Sequence, residues 1–411
     1  MKANIQIKNP LINGKVHLTG SKSISNRLLI LQALSGHNNV LKNLSDSDDT
    51  IVLQKALSSQ ETIINVGIAG TAMRFLTAYY TLRGSEVILT GDARMKQRPI
   101  KGLVDALSSL GADIEYLENE GFPPLKIKGS NLKGGILQMK ADVSSQFVSA
   151  ILMIAPYFEK GIQLKLIGEV LSRPYIEMTL SLMEKQGVPY QWVEDTISIL
   201  PGNYQNNITR VESDWSSISY IFELIALSDF GCIQLTQVDE CSVQGDQEVM
   251  YYFELLGVDS NIEQGVLTLR KKSSFELPKL LELDCLKTPD LAQTLAATAC
   301  GMGVRMKLTG LKSLPIKETD RLMALKNELE KCGAQIQIIN NEALDIIPGT
   351  ELLNRSFNFE TYGDHRMALS LAPLALKCKS VTLNNPMVVN KSYKSYWEDL
   401  KILSFNIELI K

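Results

Sequence analysis

Val87-Ile88-Leu89-Thr90-Gly91-Asp92-Ala93-Arg94-Met95-Lys96-Gln97-Arg98-Pro99 runs on through Ile100 to Leu110 and stops at Gly111. The first four residues read as a short strand. A polar turn carrying Arg94, Lys96 and Arg98 follows, Pro99 suits the first turn of a helix, and Gly111 is a helix stop. The segment is therefore one βα unit. The same order recurs: amphipathic runs Ser23–Ser35, Thr71–Arg83, Pro174–Gln186 and Lys317–Cys332 end at Gly36, Gly84, Gly187 and Gly333. Short alternating strands such as Leu125–Lys128, Ile197–Leu200 and Val266–Leu269 fill the intervals. This repetition predicts an internally duplicated α/β protein. The Gly-, Asn- and Pro-containing segment Pro201–Asn207 marks a domain boundary near residue 210, before a new helix at Trp215.

A chain of 411 residues has material for two or three domains. Its 42 basic and 45 acidic side chains leave a formal net charge of -3, so no global positive field exists to hold a nucleic acid. Anion binding must be local. The six cysteines, Cys232, Cys241, Cys285, Cys300, Cys332 and Cys378, show no CxxC spacing, which predicts reduced thiols rather than disulfides or a zinc site. Three histidines without an HExxH motif leave a catalytic metal without ligands, so cofactor-free chemistry is expected. No apolar run approaches the roughly 18 residues of a membrane span, and the N-terminus lacks a signal-type apolar core. A soluble cytoplasmic protein is expected.

Cationic and hydroxyl side chains gather at predicted helix starts: Gly20-Ser21-Lys22-Ser23 with Arg27, Gly70-Thr71-Ala72-Met73-Arg74, Ser144-Ser145-Gln146-Phe147, Lys317-Glu318-Thr319-Asp320-Arg321 and Asp364-His365-Arg366-Met367. Unpaired N–H groups and the positive dipole end make such places fit for phosphate or carboxylate. Their repetition implies a ligand with several anionic groups. Within Lys317–Arg321 the spacing puts Lys317 and Arg321 on one helix face, with Asp320 available to orient an arginine. Asp290, after Pro289 at the start of an Ala/Thr-rich helix, is a candidate base if it faces a cleft. Each segment also has an ordinary reading. The serines read as caps, Arg94–Arg98 as a solvated charge run, Lys317–Arg321 as a salt-bridged surface helix, His365 as a structural histidine, and Lys391 as a surface lysine beside Tyr393, Tyr396 and Trp397.

In order and together, these motifs resemble the enolpyruvyl transferases, specifically the 5-enolpyruvylshikimate-3-phosphate synthase family, over nearly the whole chain from Leu18 to Trp397. The resemblance implies two similar domains, each a threefold repeat of a small α/β unit (an inside-out α/β barrel), with the active-site cleft between them. It makes residues 1–20 together with 212–411 one discontinuous domain and 21–211 the inserted one. The implied reaction moves the carboxyvinyl group of phosphoenolpyruvate to the 5-hydroxyl of shikimate 3-phosphate, with no cofactor, metal, nucleic acid or membrane partner, in a monomer.

By motif position the resemblance gives catalysis to Asp290 as base, Glu318 as acid and Lys22 at the leaving phosphate. Shikimate 3-phosphate falls to Lys22, Ser23, Arg27, Ser144, Ser145, Gln146, Ser172, Tyr175, Asp290, Ser313 and Lys317. Phosphoenolpyruvate falls to Lys22, Gly70, Arg98, Gln146, Arg321, Arg366 and Lys391. Thr19, Ile68, Phe75, Ser313 and Lys394 depart from the family's usual residues, so the response to glyphosate, the family's inhibitor, does not carry over. The alternatives are the sister family acting on UDP-N-acetylglucosamine and a non-catalytic anion-binding derivative. The sister family usually carries a first-half loop cysteine, absent here, and a derivative would be expected to have lost Asp290, Glu318 or Lys22.

Overall fold

A computed structural model of the chain describes residues 1–8, 11–37, 39–140, 144–205, 207–349 and 352–410; Asn206, in the expected boundary segment, lies outside them. The chain divides into two compact units, Met1–Thr19 with Glu212–Lys411, and Gly20–Val211. Among the described residues no helix is long and apolar enough to cross a membrane, and no grouping of His, Cys, Asp and Glu suits a metal ion.

The discontinuous unit holds three four-stranded sheets. In one, strands Leu280–Asp284 and Arg305–Thr309 lie parallel around the helix Ala292–Met302, and Gln335–Ile339 with Ala343–Ile347 return as an antiparallel hairpin after the helix Arg321–Leu329. The other two have the same pattern but borrow a strand from the N-terminus: Leu11–His17 runs parallel to Phe230–Thr236, and Lys2–Ile7 lies between Ser380–Asn384 and Phe405–Ile410.

Three helices of this unit, Trp215–Leu227, Ala292–Met302 and His365–Leu371, pack against one another. Every residue of Trp215–Leu227 except Ser216 is buried, as is all of His365–Leu371. Helices apolar on all sides belong inside, and here the sheets clothe them. Exposed strand positions alternate with buried ones accordingly, as in Leu280–Asp284.

The inserted unit repeats the scheme with two sheets, Ile63–Asn65/Val87–Thr90/Leu125–Lys128/Asp113–Tyr116 and Gly135–Lys140/Ile162–Ile167/Thr196–Ile199/Tyr190–Val193. Its third portion is the helix pair Lys22–Ser35 and Asp48–Ser58, with an isolated bridge between Lys42 and Arg210. The Lys22–Ser35, Gly70–Tyr80 and Ser145–Ile154 helices pack together inside.

Several element ends depart from expectation for local reasons. The helix expected over Thr71–Arg83 ends at Tyr80, because the Thr81 hydroxyl donates to Ala78 O and the Thr81 carbonyl accepts from Ser130 N. The helix expected from Lys317 begins at Arg321: Asp320 caps it, its Oδ1 accepting from Leu322 and Met323 N, and Lys317 is extended. Cys285, Cys300 and Cys332 are buried, but Cys241 is exposed.

Candidate active site

In the inserted unit, two helix starts are joined and a third is held by an ion pair. Ser144 caps its helix by accepting from Gln146 N, and Gln146 Nε2 donates to Thr71 Oγ1 at 3.0 Å, joining the Ser145 and Gly70 helices. Lys22 opens a third helix with Nζ 3.4 Å from Asp49 Oδ2. Arg98 approaches Gly70 so closely that a Cβ there would lie 2.4 Å from its Nη1. Of the cationic run, Arg98 alone turns to this helix start; Lys96 pairs with Glu118, and Arg94 bonds Gln97. Ser172 is buried with a left-handed backbone (φ 54°), a strained conformation for serine, and stands at the start of the helix that presents Tyr175.

Arg27 is 2% exposed and binds inward: Nε to Thr179 Oγ1, Nη1 to Ser23 O, and Nη2 to Ser149 Oγ and Tyr175 O. Burial lowers its pKa to about 10. Phe75 lies under its guanidinium, 5.4 Å from Cζ to ring centroid. Arg74 likewise turns inward, to Gly70 O and Pro99 O, and serves the fold. Ser21 Oγ and Arg98 Nε are buried without a protein partner among the described residues, as is Ser313 Oγ of the other unit. A hydrogen-bonding ligand would satisfy such atoms.

In the discontinuous unit the convergence is ionic. Arg321, 1% exposed, donates Nε to Asp364 Oδ2 at 2.7 Å, Nη1 to Asp290 Oδ1 at 3.0 Å and Nη2 to Glu318 Oε2 at 3.0 Å. Arg366 Nη2 holds the other Asp290 oxygen at 2.6 Å, and Lys391 Nζ the other Glu318 oxygen at 2.7 Å. Arg366 Nη1 also reaches Tyr220 OH at 3.2 Å. Ser216, at the start of the Trp215–Leu227 helix, lies 3.5 Å from Arg366 Nη2, so residues at the starts of the three central helices meet around Asp290 and Arg366. Burial works against the Arg321 charge, but Asp364, Glu318 and Asp290 outweigh it and hold the guanidinium protonated. Burial lowers the Lys317 amine. Buried cations of this kind persist only when paired, since removing one partner costs roughly 3–5 kcal/mol.

One expectation and one ordinary reading need correction. Asp320 does not orient an arginine, because its carboxylate is spent on the helix cap; Asp364, Asp290 and Glu318 take that role. Lys391 is no surface lysine: it is 4% exposed and paired with Glu318. Sequence reasoning includes Asp364 and Thr71 only as members of their motifs, and does not reach Asp49 or Asp246. Asp364 could have been found as the N-cap of a helix carrying Arg366; the others had no local signal.

The arrangement can hold a polyanion among preorganised cations and move protons through two carboxylates. The family model of EPSP synthase (3-phosphoshikimate 1-carboxyvinyltransferase) matches residues 6–59 and 51–400. The chain is 44% identical over 400 residues to the 3-phosphoshikimate 1-carboxyvinyltransferase of Bacteroides fragilis (strain YCH46), covering 97% of both chains. It is 37% identical over 425 residues to that of Aliivibrio salmonicida (strain LFI1238), covering 96% of this chain and 97% of the relative. The solved structure of EPSP synthase from Acinetobacter baumannii superposes with a TM-score of 0.77 at 20% identity, covering 99% of this chain and 100% of that one, which shows the fold. With a family model matched over most of its length and relatives covered nearly end to end, the chain belongs to the EPSP synthase (3-phosphoshikimate 1-carboxyvinyltransferase) family.

Proposed function

We propose that the chain transfers the carboxyvinyl group of phosphoenolpyruvate to the 5-hydroxyl of shikimate 3-phosphate, giving 5-enolpyruvylshikimate 3-phosphate and phosphate on the shikimate route to chorismate and the aromatic amino acids. The observation that carries this reading is the Arg321 fork, which sets Asp290 and Glu318 on one buried guanidinium with Arg366 and Lys391 on their outer oxygens. Both substrates bear a phosphate and a carboxylate, and such a set of cations stabilises anions without reorganising.

In the addition step a proton reaches the methylene carbon of phosphoenolpyruvate, the 5-oxygen bonds to C2, and the hydroxyl proton leaves. In the elimination the C2–oxygen bond to phosphate breaks and the methyl carbon returns a proton. Asp290 is assigned the hydroxyl proton, Glu318 the proton on carbon in both directions, and Lys22 the charge of the departing phosphate. When substrate anions take over Lys391 and Arg321, Glu318 loses the cations that favour its charged form, as an acid requires. Shikimate 3-phosphate is assigned to Lys22, Ser23, Arg27, Ser144, Ser145, Gln146, Ser172, Tyr175, Asp290, Ser313 and Lys317. Phosphoenolpyruvate is assigned to Lys22, Gly70, Arg98, Gln146, Arg321, Arg366 and Lys391. The enzyme is taken to work as a cytoplasmic monomer without a cofactor.

The test is phosphate release from phosphoenolpyruvate with shikimate 3-phosphate, and in parallel with UDP-N-acetylglucosamine. Release with shikimate 3-phosphate alone is expected; release with the sugar nucleotide alone, or with neither, overturns the reading.

A further inference from the structure

Asp246 has no part in that chemistry, yet it lies within the same cluster. It belongs to the short 3-10 turn Gly245–Glu248 and is 5% exposed. Its carboxylate accepts the Ser216 hydroxyl, Ser216 Oγ lies 3.5 Å from Arg366 Nη2, and the same Nη2 holds Asp290 Oδ2 at 2.6 Å. Two side chains therefore link Asp246 to the proposed base. The titratable groups around it come from several packed elements: Asp214 at the cap of the Trp215–Leu227 helix, Cys285 after the Leu280–Asp284 strand, Asp290, and Arg366, which also meets Tyr220.

The charge balance of the cluster gives this position its weight. Arg321, Arg366, Lys391 and Lys317 face Asp290, Glu318, Asp364 and Asp246. With all of them ionised, and with Asp214 beside Asp246, the carboxylates fully offset the cations and oppose an entering anion. A proton on Asp246 removes one of those negative charges. Burial first, then Asp290, push this carboxyl up to about 7, against the pull of Arg366 and the Ser216 hydrogen bond. The fold therefore holds this proton more tightly than an ordinary aspartate does.

We propose that Asp246 is a positioning residue for anion binding: uncharged, it leaves Arg366 to the substrate, and charged, it draws Arg366 inward through Ser216 and repels the anion. The inference rests on the assignment of Arg366 to phosphoenolpyruvate. It explains why an acid with no role in the chemistry is buried beside the cations.

The experiment compares kcat/KM for phosphoenolpyruvate, at saturating shikimate 3-phosphate, from about pH 6 to about pH 9 in wild type, Asp246→Asn and Ser216→Ala. In wild type, kcat/KM falls above neutrality by up to about tenfold per pH unit while kcat falls less. Asp246→Asn keeps the shape without the charge and removes that limb. Ser216→Ala withdraws a donor from the charged carboxylate and breaks its link to Arg366, so the limb becomes shallower and what remains of it lies at higher pH. The substrates' own phosphates titrate identically in all three proteins, so the differences belong to Asp246. A limb unchanged in Asp246→Asn, or unmoved in Ser216→Ala, overturns the proposal.

Thermal melting of the same proteins gives a readout independent of turnover. An acid that titrates near 7 when folded and near about 4 when unfolded loses stability as pH rises across that window, so Asp246→Asn flattens the wild-type decline. An identical decline in both proteins also overturns the proposal. If wild type forms no product at all, the functional reading falls, and the melting series still decides whether Asp246 holds its proton.

Discussion

Gly70 is where one absent atom matters most. Its backbone is ordinary, so the need for glycine is one of space: a methyl would lie 2.4 Å from Arg98 Nη1 and 2.9 Å from its Cζ. The colliding group is the end of a flexible side chain, so Gly70→Ala should fold normally while displacing the guanidinium. Losing one charge-assisted hydrogen bond, about 1.5–3 kcal/mol, predicts a roughly 10- to 100-fold rise in KM for phosphoenolpyruvate with little change for shikimate 3-phosphate. Steady-state kinetics on both substrates checks this, and an unchanged KM for phosphoenolpyruvate removes Arg98 from its site. Asp290→Asn and Glu318→Gln preserve shape and remove the proton acceptor and donor. Turnover should fall by about 10²- to 10⁴-fold with both substrates still bound, as measured by rapid-quench and equilibrium binding. At this scale the motifs were legible as polar helix starts, because residue type and a capping position lie within a few residues of each other. Arg27 was only partly so: its charge was visible, its inward hydrogen bonds were not.

Among the elements, the helix Trp215–Leu227 is buried except at Ser216 and carries the least comfortable residue. Glu223 is 0% exposed, and neither carboxylate oxygen has a partner among the described residues. Burial raises it well above the ordinary glutamate range, so the folded protein keeps a proton that the unfolded chain releases. Stability must then fall as pH rises above the unfolded value of about 4.3. Glu223→Met, similar in volume and without the polar group, should stabilise the unit by roughly 1–3 kcal/mol at neutral pH. That corresponds to about 2–4 °C in Tm per kcal/mol, with the gain growing as pH rises. Calorimetry across pH checks this; a lower Tm in the variant would give Glu223 a partner the structure does not show. Element existence was legible from glycine stops such as Gly36 and Gly333, both left-handed with φ of 74° and 82°. Element starts were less so. Asp320 and Thr81 decided two boundaries through side-chain hydrogen bonds that compete with helix continuation.

For the whole molecule, the N-terminal segment Met1–Thr19 is the test of how the discontinuous unit is built. Lys2–Ile7 is an interior strand, paired on both sides, and Ala3, Ile5, Ile12, Val16 and Leu18 are all at most 1% exposed. Removing the segment forfeits several buried side chains at about 1.5–3 kcal/mol each, comparable to the roughly 5–15 kcal/mol that hold a domain together. A chain lacking residues 1–19 should therefore show no cooperative melting of that unit by calorimetry, whereas retention of the wild-type transition would mean the strand is dispensable. The alternation of strand, polar turn and glycine-stopped helix was legible before any coordinates, since each signal depends on neighbours within about four residues. So was the demand for a polyanionic ligand, written in the polar starts of successive helices. Nothing local could say that Arg321 would serve Asp290, Glu318 and Asp364 at once, or that Arg366 would meet Tyr220 across 146 residues of sequence. Those contacts exist because apolar helices must bury every face, which packs them side by side with their N-termini together. Charges that are far apart in the chain become partners there because, once desolvated, each needs an opposite charge to stay buried.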